Sequence, residues 1–181
     1  MSPEYEGSDD YEINPLIAAR VDYGDYYIET SGLGIRADLS SYESIDFGIA
    51  INYRMERDEG VENEFVRLRD EVDAAVEIGL FARFRRPGIF DPSDEVSFDL
   101  EILTDAASEH EATLISFGPS YSFSPSERLR LGASLKATYV TDDYNETYFG
   151  IDADNAMRSG LAEFSAEGGI KDLGLTVTAN Y

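Results

Sequence analysis

Residues 71–85, EVDAAVEIGLFARFR, alternate apolar and polar side chains along their whole length. Val72, Ala74, Val76, Ile78, Leu80, Ala82 and Phe84 fall on one face. Glu71, Asp73, Glu77, Arg83 and Arg85 fall on the other, softened by Ala75, Gly79 and Phe81. A period of two means a β-strand whose faces meet different surroundings. Strands in soluble domains run about five or six residues, whereas a tilted strand crossing a bilayer needs roughly 9–11. An alternation this long favours a membrane wall.

The pattern recurs. Ile45, Phe47, Ile49, Ile51, Tyr53 and Met55 oppose Asp46, Asn52 and Arg54; Val96, Phe98, Leu100 and Ile102 oppose Glu95, Ser97, Asp99, Glu101 and Asp105. Leu129, Leu131, Ala133, Leu135, Ala137 and Tyr139 oppose Arg128, Arg130, Ser134, Lys136 and Thr138, and residues 111–123 and 174–181 alternate likewise. No apolar run reaches the roughly 18 residues of a membrane helix, and no stretch keeps a 3.6 period for three turns. The expected fold is all-β: an antiparallel up-and-down transmembrane β-barrel, with about nine or ten strands here and about ten to twelve when complete. A small-solute pore shares this pattern. So does a soluble lipocalin-like barrel, whose apolar face points inward.

Turn signals cut the chain into hairpins. Tyr23-Gly24-Asp25-Tyr26 and Ser124-Pro125-Ser126-Glu127 read as tight turns, while Gly168-Gly169 and Asp172-Leu173-Gly174 read as closing a further hairpin. Gly32-Leu33-Gly34 reads as a kink within a strand. Two long polar segments, residues 56–70 and 141–160, fall on one rim by parity. The 124–127 turn falls on the other, and the Gly24 turn on the long-loop rim. Of 12 tyrosines and 10 phenylalanines, many sit near strand ends, as in an interfacial girdle: Tyr5, Tyr11, Tyr23, Tyr26, Tyr27, Tyr53, Phe84, Phe90, Tyr121, Phe123, Tyr139, Tyr144, Tyr148 and Phe149.

The 37 acidic residues against 14 basic ones give a formal net charge of −23, which excludes a general nucleic-acid surface. His110 is the only histidine; a triad with Asp105 and Ser108 or Ser116 can be drawn only on paper, so no catalytic residue is expected. Without cysteines or a histidine cluster no metal or cofactor site is expected, and Asp142-Asp143 and Asp152-Ala153-Asp154-Asn155 read as solvated acidic loops. The polar faces of the strands are expected to pair charges inside the lumen: Glu71, Asp73, Glu77, Arg83, Arg85, Asp99, Glu101, Arg128, Arg130 and Lys136. Candidate contact segments lie in rims and loops: Tyr5, Glu6, Gly7, Ser8, Asp9, Asp10 and Tyr11, then Asp142, Asp143, Tyr144, Tyr148, Phe149 and Gly150.

Three stretches carry a family resemblance. They are Pro3, Tyr5, Gly7, Ser8 and Tyr11; Asp143, Tyr144, Tyr148, Phe149 and Gly150; and Gly168, Gly169, Lys171, Asp172, Gly174 and Leu175. In order and spacing the chain resembles the MipA/OmpV family of Gram-negative outer-membrane proteins. The resemblance implies an outer-membrane location and a non-enzymatic scaffold linked to murein synthesis, with a lytic transglycosylase and a penicillin-binding protein as partners beside membrane lipid. Other members are described as antigens or adhesins. Family members begin with a signal peptide and a first strand and run on past the last motif. Residues 1–181 are therefore expected to be one barrel domain in part, with signal peptide, first strand and closing C-terminal strands outside it.

Overall fold

The alternating segments pair with their neighbours in sequence order. The computed structural model describes residues 2–3, 5–8, 11–12, 19–58 and 60–181. Two short strands, β1 (Ser2–Pro3) and β2 (Tyr11–Glu12), form a separate two-stranded sheet. The remaining strands are β3 (Arg20–Tyr23), β4 (Tyr26–Ser31), β5 (Gly34–Asp38), β6 (Ile45–Arg54), β7 (Ala75–Pro87), β8 (Glu95–Asp105), β9 (Thr113–Ser126), β10 (Leu129–Val140) and β11 (Gly169–Asn180). These nine form one antiparallel up-and-down sheet in the order β3 to β11, curled into a half-barrel. The expected all-β, up-and-down architecture is the one observed.

Register decides which face is which. Ile49, Leu80, Ile102, Ile115, Tyr139 and Ile170 form one continuous cross-strand row. That row lies on the convex side, where Leu80 is 66% exposed and Val177 73%. A second row three residues along, Asp46, Arg83, Asp99 and Gly118, lies on the concave side. A lipocalin-like arrangement needs the apolar face inside; the observed curl puts it outside. A contiguous apolar wall of this extent marks a membrane or partner surface.

Several local expectations are corrected. Gly32-Leu33 is a two-residue turn joining β4 to β5, with Ser31 paired to Gly34 and Gly32 at φ +62°. A positive φ suits glycine, so the first glycine makes the turn rather than a kink. Counting this turn moves the Gly24 turn to the rim that carries residues 39–44, 88–94 and 127–128. The opposite rim carries residues 55–74, 106–112 and 141–168 and is the long-loop rim. The expected hairpin at Gly168–Gly174 is instead one strand, β11, with a bulge: Thr138 pairs with Asp172 and Tyr139 with Ile170, leaving Lys171 as the extra residue. The strand expected from Glu71 begins at Ala75, and Val72 is buried beneath a bridge to Arg57 rather than facing outward.

The long polar segments are not purely irregular. Residues 141–160 hold helices α1 (Asp142–Phe149) and α2 (Ala153–Ser159), and Val66–Leu68 forms a 3₁₀ turn. Asp142 and Asp143 in the first turn of α1 suit the positive end of its dipole. Asp152, read as part of a solvated acidic loop, is the N-cap of α2, accepting from Asn155 N–H at 2.7 Å, and Gly160 ends that helix in the left-handed conformation.

Candidate functional site

The three motif stretches, far apart in sequence, converge on the concave side of the long-loop rim. At their centre is Glu77, whose side chain is fully buried at the start of β7. It accepts from Arg54 Nε at 2.7 Å and from Asn52 Nδ2 at 2.8 Å. His110 Nδ1 accepts the Ala112 N–H at 3.2 Å, which leaves the proton of a neutral ring on Nε2, 3.2 Å from Glu77 Oε1 but poorly aligned with it. From the first motif, Glu6 bridges Arg54, at 3.3 Å, and Lys171, which the β11 bulge turns toward it. From the second, Tyr144 and Tyr148 pack over the cluster with ring centroids 4.5 Å apart, and Arg54 lies 5.0 Å from the Tyr144 ring centre. From the third, Gly168 donates its N–H to Asp142 Oδ1, and a Cβ there would sit 2.8 Å from that oxygen.

Apolar packing seals this cap. Val72, Ala112, Leu114, Val140, Tyr144 and Tyr148 form one buried cluster, with Phe149 against it. A second, Ala50, Phe81 and Leu103, crosses the concave face just below. Arg57 donates to the Tyr148 carbonyl at 2.8 Å and Arg69 to the Gly150 carbonyl at 2.6 Å, so two cations from the 55–74 loop hold the C-terminal end of α1. Desolvation, then repulsion from Arg69, pulls the Arg57 guanidinium down to about 10. Burial pushes the phenols of Tyr144 and Tyr148 up, and neither hydroxyl has a hydrogen-bond partner among the described residues.

The contact segments thus divide. Tyr144 and Tyr148 are buried and present no rim surface; Asp142, Asp143 and Glu146 do. Ser8 is buried and Tyr5 half-buried, while Asp9 and Asp10 lie outside the described residues and Tyr11 belongs to β2. The paper triad does not assemble: Asp105 accepts the backbone N–H groups of Ala107, His110 and Glu111, and Ser108 is exposed.

Of the expected lumen charges, the structure brings some together. Arg83 pairs with Asp99 at 2.9 Å and Arg85 with Asp46 at 2.5 Å; Glu101 pairs with Arg36 at 2.7 Å. Arg130 is exposed and donates to Ser122 Oγ. Glu71 and Asp73 precede β7 and are exposed, and Arg128 sits in the β9–β10 turn, because strands there are shorter than the alternation suggested. Lys136 is on the concave face without an ion pair among the described residues. Sequence reading missed Arg36, Arg54, Asn52, His110 and Lys171 as network members. Arg54 and Asn52 were on the polar face of their strand, which was the available signal.

At the short-turn rim, Asp94 accepts from the N–H groups of Ile89, Phe90 and Asp91 at 2.8, 2.9 and 3.0 Å and fixes the β7–β8 turn. Desolvation opposes its ionisation, but the Phe90, Ile89 and Asp91 N–H groups hold its carboxyl below the usual range. That turn presents Phe90 at 79% exposure.

An up-and-down antiparallel wall, apolar on its convex face, polar on its concave face and capped at one rim, defines a barrel-wall protein. Its sequence matches the family described as MltA-interacting protein MipA over residues 1–181, and the chain belongs to that family. No curated protein and no solved structure matches it.

Proposed function

We propose that the chain is the wall of an outer-membrane β-barrel, one domain over residues 1–181. On this reading it acts without catalysis, as a scaffold for a murein lytic transglycosylase and a penicillin-binding protein. The family match along the whole chain carries this reading, since the family description itself names an interaction with MltA. The convex apolar wall supports the membrane part, because bilayer lipid is the solvent such a face requires. The nine-stranded sheet has edge strands β3 and β11 running in the same direction, so antiparallel closure takes an odd number of further strands. One or three would give the even-numbered, roughly ten- to twelve-stranded barrel.

Barrels of this kind put short turns toward the periplasm and long loops outside. A periplasmic partner then meets the Ile89–Phe90 tip, and Asp143 faces away from the cell. Capture of the purified transglycosylase by the folded barrel should fall strongly for Phe90→Asp and persist for Asp143→Lys. Capture that survives Phe90→Asp and is lost on Asp143→Lys would invert the orientation. A second expectation separates scaffold from pore. With Phe81, Leu103 and the Tyr144–Tyr148 cap crossing the concave face, planar bilayers containing the protein should show no stable conductance steps, and regular ohmic steps would favour the pore.

A further inference from the structure

The long-loop end of the concave face is sealed, but its middle is not. A cavity of about 430 Å³ lies there, within the roughly 300–1,000 Å³ typical of small-molecule sites. It shares no lining residue with the cavities at the capped rim. Its charge is anomalous for so acidic a chain: five of the 14 basic side chains line it, but only four of the 37 acidic ones. The arginines Arg20, Arg36, Arg83 and Arg85 are each matched by a carboxylate at 3.5 Å or less. Lys136 is matched by none among the described residues.

Lys136 is exposed on this face, and most side chains around it are small. Its β11 partner is Gly174, and the concave positions around it are Ser116, Gly118 and Ser120 on β9, Ser134 and Thr138 on β10, and Asp172 and Thr176 on β11, the Asp172 carboxylate being taken by Lys171 at 3.1 Å. Small side chains dominate this ring and leave room beside the ammonium group, while Arg36, Arg83 and Arg85 on the far wall are locked in pairs. The serine hydroxyls can donate and accept.

We propose that this cavity binds a small hydroxylated anion of the sugar-acid class, its carboxylate on Lys136 and its hydroxyls on the serine wall. The ligand would enter from the short-turn rim, opposite the cap. The inference rests on the barrel reading above, in which the concave face is enclosed. Coulomb attraction to an unpaired ammonium is stronger inside a narrow polar cavity than in open water.

The chain has two lysines, Lys136 and Lys171, and the second is held by Glu6 in the cap. Selective ε-¹³C-lysine labelling of the refolded barrel therefore gives one probe and one internal control. Heat-modifiable migration first establishes that the barrel has formed; its absence would overturn the barrel reading itself. On folded protein, sodium glucuronate should shift the Lys136 resonance saturably and leave Lys171 in place. Glucose should bind at least about tenfold more weakly, the loss of one charge-assisted contact. Saturation transfer to glucuronate should drop by a similar factor in Lys136→Gln. Absence of a saturable shift, an equal response to glucose, an equal response to inorganic phosphate alone, or undiminished transfer in Lys136→Gln would each overturn the proposal.

Discussion

Replacing Glu77 by Ala should lower the unfolding free energy of the refolded protein by about 3–5 kcal/mol, the usual result of stripping one partner from a buried ion pair. The carboxylate is fully buried and is the common acceptor for Arg54 and Asn52 beside the His110 ring. Without it the Arg54 guanidinium keeps, among the described residues, only Glu6, at 3.3 Å, as a carboxylate partner. Glu77→Gln preserves a hydrogen-bond acceptor and should cost less, roughly 1.5–3 kcal/mol, the range for bonds to charged groups. Urea titrations in lipid or detergent read both. A Glu77→Ala loss within about 1 kcal/mol would mean that the cluster is solvated and the rim uncapped.

The second large effect belongs to α1. Tyr144 is the largest fully buried side chain among the described residues, and Tyr144→Ala should cost about 3–5 kcal/mol, as large-to-small changes of buried aromatics do. Tyr144→Phe should be neutral or stabilising by up to about 1 kcal/mol, because the phenol oxygen is buried without a partner among the described residues and its removal relieves a desolvation penalty. The pair of substitutions separates packing from hydrogen bonding. Equal losses in both would show that the hydroxyl has a partner after all. In Tyr144→Ala the sheet signal in circular dichroism should persist while amide exchange in residues 142–160 rises.

These two sites also mark where the sequence stopped being readable. Strands β6 to β10 were legible because a period of two, kept over many residues, leaves no other element that satisfies both faces. Helix α1 was not. Its eight residues are too few for a helical period to show, and isolated helices that short do not form in water. It exists because Arg57 and Arg69 hold its carbonyl end and Tyr144 and Tyr148, four apart, reach the same cluster. His110 looked incidental because the partner that explains it, Glu77, lies on another strand, and only β7–β8 register together with the 106–112 loop brings the two side by side. The rim count failed at one dipeptide: taking Gly32-Leu33 as a kink rather than a turn shifts the parity of every earlier connection. The strand polarity of Glu71 and Asp73 was overread for a simpler reason. Alternation continued past the point where β6 and β7 stop pairing, at Arg54 and Ala75.

The motif stretches gain a physical account from their convergence. Gly7 abuts the Phe149 ring, where an added Cβ would lie 3.2 Å away, and Gly168 leaves room for the Asp142 carboxylate. Lys171 needs the bulge in β11 to reach Glu6. Residues that look like a contact surface when read along the chain are, in three dimensions, the parts of one cap.

The two faces of the wall call for opposite surroundings, lipid on the convex side and enclosed polar groups on the concave side. The chain has no cysteine, so single cysteines can be introduced as reporters without competition. Bimane attached at Leu80 or Val177, on the convex wall, and at Ser134, on the concave wall, should report opposite surroundings in vesicles. Doxyl-labelled lipid should quench the Leu80 and Val177 labels and spare Ser134, while aqueous iodide should quench Ser134 alone. Lipid quenching at Ser134 with iodide quenching at Leu80 would contradict the account and turn the wall inside out.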